Sequence, residues 1–307
     1  MSAPSHDHGH GSLLGDRRRL ALVLGITATI LVVEVVGALV SGSLALLADA
    51  GHMLTDVAGL LIAVAAAAMA AQPATSRRTW GYQRAEVLAA TVQSAVLLGV
   101  GGFVIVEGIR RLVQPPHVAS SAMLVFGVVG LVGNLISLAV LVAGRTQSFT
   151  VRAAVLESLN DALGSVAVLV AGAVIAVTGW ERADGVVSIL IGGLIIPRTV
   201  RLLRETTDVL LEATPRGLDL DDVRAHLLDL PHVHGVHDLH ASQIAAGLPV
   251  LTAHVVVDDS CFHDGHAPQI LDQLQECVAR HFRLSIEHST FQLEPVHHAG
   301  HEAHVHG

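Results

Sequence analysis

Residues 44–56 read LALLADAGHMLTD, and residues 157–172 read ESLNDALGSVAVLVAG. In each apolar stretch two ligand-type side chains lie four residues apart, His52 with Asp56 and Glu157 with Asp161. On a helix this spacing puts both members of a pair on one face. Ionisable side chains at bilayer depth are costly unless they face the protein interior or bind something. The two pairs therefore predict a buried divalent-cation site between two helices, with an interhelical hydrogen-bond network as the alternative.

The composition is typical of a polytopic membrane protein. Of the 307 residues, 51% are apolar and only 15% are charged. Apolar segments extend from Leu20 to about Leu203, and mixed polar sequence follows Leu211. The formal net charge is −9 and there is no dense basic block, which argues against nucleic-acid binding. The polar N-terminal stretch does not resemble a cleaved signal, so we expect it to stay attached.

Six segments are long and apolar enough to cross a bilayer, which takes about 20 residues each. These are residues 20–40, 44–71, 86–112, 122–143, 152–178 and 184–203. Arginines are concentrated at one set of segment ends, so the positive-inside rule predicts that both termini are cytoplasmic. Arg110 and Arg111 are on the opposite side, where they can snorkel or pair with Glu107.

The sequence after the last span predicts helix, strand, strand, helix and strand at 218–230, 236–244, 250–257, 267–283 and 286–293. This order suits a small α+β domain of ferredoxin-like type. The predicted fold class is an all-α six-helix transmembrane domain followed by a cytoplasmic ferredoxin-like domain. We place the boundaries at a flexible His-containing tail 1–16, a transmembrane domain 17–208, a cytoplasmic domain 209–294 and a His-rich tail 295–307.

Carboxylate oxygen and imidazole nitrogen are donors that suit Zn²⁺ and other first-row divalent ions. No cysteine lies in a span, which argues against a soft Cu(I) site in the membrane. Cys261 and Cys277 are predicted to be reduced thiols, with a thiolate metal site as the alternative. Asp49, one turn before His52, is a candidate for an ion or proton path. Its alternative is an exposed carboxylate at a helix start.

The two quoted stretches resemble the second and fifth helices of the cation diffusion facilitator family, in particular its bacterial zinc exporters. The resemblance extends over nearly the whole chain, through WGYQRAEVLAA at 80–90, GNLIS at 133–137, TGWERADGVVSILIG at 178–192, VHDLH at 236–240 and LTAHVVV at 251–257. It implies a homodimer in which each protomer has one transport site, alternates between inward and outward access, and exchanges divalent metal for protons.

By this resemblance His52 and Asp56 correspond to the metal ligands of the second helix, and Asp161 to the carboxylate ligand of the fifth. Position 157 departs from the family pattern, because zinc-exporting relatives usually have His where this chain has Glu. Glu157 can still bind Zn²⁺, but the site gains an anionic oxygen. Cd²⁺, Mn²⁺, Fe²⁺ and Co²⁺ therefore remain open as additional or alternative substrates.

Histidines are frequent outside the spans. The family's cytoplasmic domain resembles a metallochaperone that binds regulatory metal, and this implies His237, His254 and His288 as ligands, with His240 next. Tracts at the two ends of the chain can capture metal weakly or be solvated polar tails. They consist of His6, His8, His10, His297, His298, His301, His304 and His306.

We therefore expect a multi-pass cell-membrane exporter of divalent metal, with Zn²⁺ as substrate, protons as counter-ion, lipid around it and no nucleic-acid partner. Zn²⁺ is also a candidate regulatory ligand, and no organic cofactor is expected. A membrane metalloprotease is disfavoured because HExxH is absent, and ATP-driven pumping because no Walker motif occurs. The chain is not expected to be an enzyme. A metal sensor without transport remains the rival function.

Overall fold

The computed structural model of the chain describes residues 10–70, 72–143, 149–245 and 247–298. Several residues of the predicted terminal tracts, His6, His8, His301, His304 and His306, lie outside the described residues. The chain forms two compact units. One comprises Met1–Ile62 and Val92–Arg201, and the other comprises Ala63–Thr91 and Leu202–Gly307.

Six long helices account for most of the predicted membrane domain. They are α1 His10–Ser41, α2 Leu44–Ala70, α3 Arg84–Val113, α4 Ser120–Val142, α5 Phe149–Thr178 and α6 Arg182–Leu210. Helix α1 begins at His10, inside the stretch predicted to be a flexible tail. Helix α6 continues seven residues past the predicted end at 203, because its helix does not stop where the apolar run does.

Five of these helices contain a segment long and apolar enough to cross a membrane: Leu22–Ser41, Arg84–Val113, Ser120–Val142, Val155–Thr178 and Arg182–Leu210. Helix α2 is not among the five, although its 27 residues extend about 40 Å, more than the hydrocarbon core of a bilayer. The chain is thus a multi-pass membrane protein, and the sixth span stays a prediction.

Helix α4 packs between α1 and α5, and its small residues let the helices come close. A Cβ added at Gly133 would lie 2.5 Å from Cδ1 of Ile30 on α1. A Cβ at Gly127 would lie 3.0 Å from Cδ2 of Leu169 on α5. Asn134 of α4 donates a hydrogen bond to the Ser165 hydroxyl of α5 (3.2 Å), which links the two helices by a buried polar contact.

The start of α2 is fixed by a carboxylate from another helix. Asp184 of α6 is fully buried and accepts hydrogen bonds from the backbone amides of Leu44 (2.8 Å) and Ala45 (3.1 Å). The Ser43 hydroxyl also donates to it, at 2.5 Å. The first amides of a helix have no partner within the helix, and a carboxylate there also favours the helix dipole. Asp184 therefore caps α2 together with Ser43, whose hydroxyl oxygen accepts a hydrogen bond from the Leu46 amide (3.2 Å).

Arg111 completes this buried arrangement. One guanidinium nitrogen of Arg111 donates to Asp184 (3.0 Å) and to the Gly42 carbonyl (2.7 Å). The neighbouring Arg110 pairs with Glu107 at 3.3 Å, as the sequence predicted, and is largely exposed. The two arginines at this end of α3 thus differ in role, since only Arg111 contacts the α2 cap.

The second unit contains a three-stranded sheet with two short helices. Its elements are α7 Leu220–Leu228, β1 Val233–Ala245, β2 Leu248–Val257, a short 3-10 helix Asp259–Phe262, α8 Ala267–Arg280 and β3 His288–Pro295. The sheet order is β1-β2-β3, with β1 antiparallel to β2 and β2 parallel to β3. The predicted order of helices and strands is confirmed.

The full ferredoxin-like pattern has four strands, in the order βαββαβ. The described residues of this unit begin instead with α7 and supply αββαβ. The parallel pairing of β2 with β3 follows from the crossover helix α8 between them. Alternate residues of β2, namely Leu251, Ala253, Val255 and Val257, are buried in the core together with α7 and α8. The intervening His254 is therefore on the other face of the sheet.

The Asp184 cap predicts a large loss of stability when its carboxylate is removed. We expect Asp184→Ala to lower the free energy of unfolding of the detergent-solubilised protein by about 3 kcal/mol or more, because it removes the buried carboxylate that pairs with Arg111 and leaves two helix amides buried without a partner. The measurement is chemical unfolding followed by circular dichroism.

Glu107→Gln is the matched control, because Glu107 contacts the same Arg111 (3.5 Å) but is partly exposed. Its loss should stay within about 1 kcal/mol. Equal unfolding curves for Asp184→Ala and the parent would contradict this role of Asp184.

Candidate metal sites

Helices α2 and α5 bring the two predicted pairs together. Nitrogen or oxygen atoms of His52, Asp56, Glu157 and Asp161, one from each, all lie within 4.8 Å of one another. The His52 Nε2 atom is 3.4 Å from Oδ2 of Asp56 on its own helix and 3.6 Å from Oε1 of Glu157 on α5. The four-residue spacing thus forms one cluster of one imidazole and three carboxylates.

Each carboxylate of the cluster has a buried oxygen that accepts no hydrogen bond from the described residues. These atoms are Oδ2 of Asp56, Oε1 of Glu157 and Oδ1 of Asp161. Buried oxygens almost always have a donor, and an anionic oxygen without one costs several kcal/mol. A divalent cation between the helices would satisfy all three oxygens at once, so the donor set fits a metal ion.

Arg198 of α6 also contacts this cluster. Its guanidinium donates to Oε2 of Glu157 at 3.2 Å, so the two oxygens of Glu157 face different partners. One oxygen faces the ligand cluster and the other faces a fixed positive charge. With His52 neutral, three carboxylates and one guanidinium leave a net charge of about −2, which a divalent cation would neutralise.

Helix α3 supports α2 beside the cluster. Gln93 of α3 donates its side-chain amide to the backbone carbonyl of Thr55 (3.0 Å), and the Thr55 hydroxyl donates to the carbonyl of His52 (2.6 Å). Gly59 makes room for this contact, because a Cβ there would lie 1.9 Å from the Gln93 nitrogen. The backbone that carries His52 and Asp56 is thus bonded to a neighbouring helix.

Asp49 lies on the same helix face but is deeply buried, with 3% of its surface exposed. It faces α5, where a Cβ at Gly164 would be 2.6 Å from its Oδ1 atom. The alternative of an exposed carboxylate at a helix start is therefore wrong, since α2 begins at Leu44 and is capped by Asp184. Glu34 of α1 is also buried (1% exposed), and both of its oxygens lack a partner among the described residues.

A second cluster lies on the sheet, where β1, β2 and β3 are adjacent. His237, His254 and Glu294 offer ligand atoms within 4.8 Å of one another. The Glu294 carboxylate is 3.2 Å from Nε2 of His237 and 2.8 Å from Nδ1 of His254. Glu294 is almost fully buried (1% exposed), so its negative charge lies between the two imidazoles.

The strand register explains which of the predicted cytoplasmic histidines join this cluster. His237 lies directly opposite His254 across the β1–β2 pair. His288 lies opposite Val250, at the other end of β3 from Glu294, and its ring is 5.0 Å from that of Trp80. His240 lies opposite Thr252 beyond an irregularity in β1. The structure thus brings together His237 and His254 but neither His240 nor His288.

Comparison with known proteins gives the family. The model of the cation efflux transmembrane domain matches residues 20–211, and that of the cation efflux protein cytoplasmic domain matches residues 215–296. The chain belongs to the cation efflux family. This is a family of membrane transporters and not of enzymes, as the sequence predicted.

Relatives in the cation efflux family cover nearly the whole chain. The metal cation efflux system protein CzcD of Cupriavidus metallidurans is 41% identical over 94% of this chain and 89% of its own length. The zinc transporter ZitB of Escherichia coli is 40% identical over 95% of this chain and 92% of its own. A cadmium, cobalt and zinc/H⁺–K⁺ antiporter of Bacillus subtilis is 32% identical over 97% and 94%.

Three residues that contact or position the clusters were not predicted from the sequence. Arg198, Asp184 and Glu294 were not among the predicted site residues. Arg198 directly follows Pro197 inside an apolar helix, and such a charge is itself a signal of a buried partner. Glu294 shares the alternation of β3 with Gln292, so its face could have been predicted once the strand was.

Proposed function

We propose that this cation efflux protein exports a divalent metal ion, with Zn²⁺ as its principal substrate. The observation that carries the proposal is the cluster of four ligand side chains from α2 and α5, in which each of the three carboxylates has a buried oxygen without a donor among the described residues. Imidazole and carboxylate donors suit Zn²⁺, and the names of two relatives specify zinc. His52, Asp56, Glu157 and Asp161 are the proposed transport ligands.

Protons are the proposed counter-ion. Carboxylates and imidazole must be deprotonated to hold a metal ion, so proton entry and metal release compete at the same atoms. The antiporter name of the Bacillus subtilis relative supports this exchange. Asp49 lies one helical turn from His52 and is buried against α5, which supports its proposed place on the ion or proton path.

The proposed setting is the cell membrane, with both termini in the cytoplasm and two copies of the chain forming a homodimer. Arginines are concentrated at one set of span ends, and this supports placing those ends in the cytoplasm. The two domain matches end at 211 and begin at 215, which supports a domain boundary close to the proposed one at 208/209.

Glu157 and Arg198 together are proposed to set metal preference. Glu in place of His would add one negative charge to the site, and the ion pair with Arg198 cancels it. The oxygen-rich donor set suits harder ions such as Mn²⁺ better than an imidazole would. Zn²⁺ export with admission of other divalent ions, among them Cd²⁺, Co²⁺, Fe²⁺ and Mn²⁺, is therefore the proposed range.

Regulatory Zn²⁺ is proposed at His237, His254 and Glu294 on the sheet. Two imidazoles and one carboxylate are a donor set found in zinc sites, and a fourth position would remain for water or another ligand. His240 lines a cavity of about 300 Å³ beside His254, together with Asp238, Thr290 and Gln292. This position is consistent with a secondary role for His240 next to the metal ligands. No supporting contact connects His288 to this site.

Removal of a transport ligand should abolish flux. We expect Zn²⁺ uptake by inverted vesicles driven by a proton gradient to fall in Asp161→Ala to the level of vesicles without the protein, because one of four ligands is lost. Asp272→Ala, an exposed carboxylate on α8, should transport like the parent. Zn²⁺ accumulation by Asp161→Ala at the parent rate would refute the site, and no accumulation by the parent would favour a sensor.

The role of the Glu157–Arg198 ion pair can be tested with variants that change and then restore the net charge of the cluster. Glu157→His leaves a net charge of about −1 with Arg198 in place, so we expect slower uptake of all metals and the largest loss for Mn²⁺. Glu157→His combined with Arg198→Leu restores about −2 and should recover Zn²⁺ uptake. Arg201→Leu, one turn further along α6 on an exposed position, should not rescue Glu157→His.

The metal preference of the parent and of these variants is measured by competition among zinc, cadmium, manganese, iron and cobalt for uptake into the same vesicles. Identical metal profiles for the parent and Glu157→His would remove the significance of position 157. Equal rescue by Arg198→Leu and Arg201→Leu would show that the ion pair plays no part.

The cytoplasmic cluster can be tested by metal binding in the Asp161→Ala background, where the intramembrane site is weakened. We expect Glu294→Gln to weaken the Zn²⁺ affinity measured by calorimetry about 10-fold or more, because it removes the carboxylate that contacts both His237 and His254. Glu287→Gln, at an exposed position before β3, is the control. Unchanged affinity in Glu294→Gln would exclude this carboxylate as a ligand.

A further inference from the structure

A third cluster of metal-ligand side chains lies outside both sites described above. His232, just before β1, Asp258, just after β2, and Cys261 in the short 3-10 helix offer ligand atoms within 4.8 Å of one another. Asp258 is four residues past His254, about 13 Å along an extended strand. The cluster is therefore separate from the His237–His254–Glu294 site.

The polar side chains of this cluster are already arranged around Asp258. The imidazole Nδ1 of His232 is 2.9 Å from one carboxylate oxygen of Asp258, and Nε2 of His234 is 2.5 Å from the other. Each imidazole thus contacts one oxygen of the carboxylate, and His232 and His234 together hold its orientation.

The backbone around His232 is held in an uncommon conformation. His232 has a φ of 67°, in the left-handed region that costs energy for a residue with a side chain. The backbone amide of Asp258 donates to the His232 carbonyl at 3.1 Å and so links the two chain segments. The conformation directs the His232 ring towards Asp258, and the ring of His266 is stacked on it at 5.8 Å.

Cys261 gives the cluster a donor that neither other site has. Its side chain is buried (1% exposed) within the core of this unit, at the edge where His232 and Asp258 meet it. The second cysteine, Cys277 on α8, is in a different environment, because burial raises the pKa of its thiol and no metal-ligand cluster of the described residues includes it. Of the two thiols, Cys261 is the one whose Sγ atom lies within 4.8 Å of ligand atoms of His232 and Asp258.

We propose that His232, Asp258 and Cys261 bind a borderline or soft divalent cation such as Zn²⁺, Co²⁺ or Cd²⁺, with His234 orienting the carboxylate. Three protein ligands leave a fourth tetrahedral position for water. The sulfur donor selects against hard ions, so Mn²⁺ and Mg²⁺ bind poorly. This site shares no residue with the transport site. Cys261 would then be a thiolate metal ligand, which was the alternative to a reduced thiol in the sequence prediction.

The test uses Co²⁺ as the probe, because only a sulfur ligand gives the intense near-ultraviolet charge-transfer band of a cobalt thiolate. Co²⁺ titrated into the full-length, reduced protein in detergent should produce this band, Zn²⁺ should displace it, and Mn²⁺ should not. The band should be unchanged in Cys277→Ser, the matched cysteine control, and in His254→Ala. It should be absent in Cys261→Ser.

His232→Asn keeps the proposal testable where Cys261→Ser fails to fold, since Asn tolerates the left-handed backbone and the position is exposed. We expect it to raise the Co²⁺ concentration needed for half of the band at least 10-fold. The absence of a band in the parent, a band that persists in Cys261→Ser, or parent-like titration of a folded His232→Asn would each overturn the proposal.

Discussion

A carboxylate that is buried without water needs hydrogen-bond donors, and Asp184 obtains four: the Ser43 hydroxyl, the amides of Leu44 and Ala45, and the Arg111 guanidinium. These contacts set where α2 begins. Each residue further along a helix rotates by about 100°, so the first residue determines the direction of every later side chain. The common face of Asp49, His52 and Asp56 is therefore oriented by a residue of α6 that is far away in the sequence.

The orientation of α2 matters because the cluster that it forms with α5 is electrostatically incomplete by itself. Three carboxylates within a few ångströms repel one another, and in a medium of low polarity this repulsion is poorly screened. Arg198 offsets one of the charges from a fixed position on Glu157. The two remaining negative charges would be balanced by the two positive charges of a divalent cation. The arrangement is therefore expected to be most stable with such a cation bound.

Local periodicity was enough to predict that His52, Asp56, Glu157 and Asp161 lie close together. His52 with Asp56, and Glu157 with Asp161, are one helical turn apart, and a buried face follows from helix geometry and the apolar surroundings alone. The order of elements in the second unit could be predicted for the same reason. Two contacts were not predicted, that of Asp184 with the first residue of α2 and that of Arg198 with Glu157. They join residues separated by 140 and 41 positions, and no local pattern encodes them.

Strand register also limited what could be predicted from the sequence about the cluster on the sheet. His288 and Glu294 are on the same strand and the same face, yet only Glu294 meets His237 and His254, because β3 pairs with β2 such that Gln292 lies beside His254. A shift of a few residues in that pairing would have placed His288 in the cluster instead. Alternation along a strand predicts a face, whereas the choice among residues of that face depends on the neighbouring strand.

The donor sets of the three clusters differ in a way that suits different residence times of a metal ion. The intramembrane cluster has one nitrogen and three oxygens, the sheet cluster has two nitrogens and one oxygen, and the third has nitrogen, oxygen and sulfur. Softer donors hold Zn²⁺ more firmly, and a carrier must also release its cargo. The proposed transport site is rich in oxygen donors, and proton competition for its carboxylates would let it give up its ion. The softer donors are on the second unit, outside the proposed transport site. By the same proposal, Glu at position 157 favours release of the ion as well as a broader choice of metal.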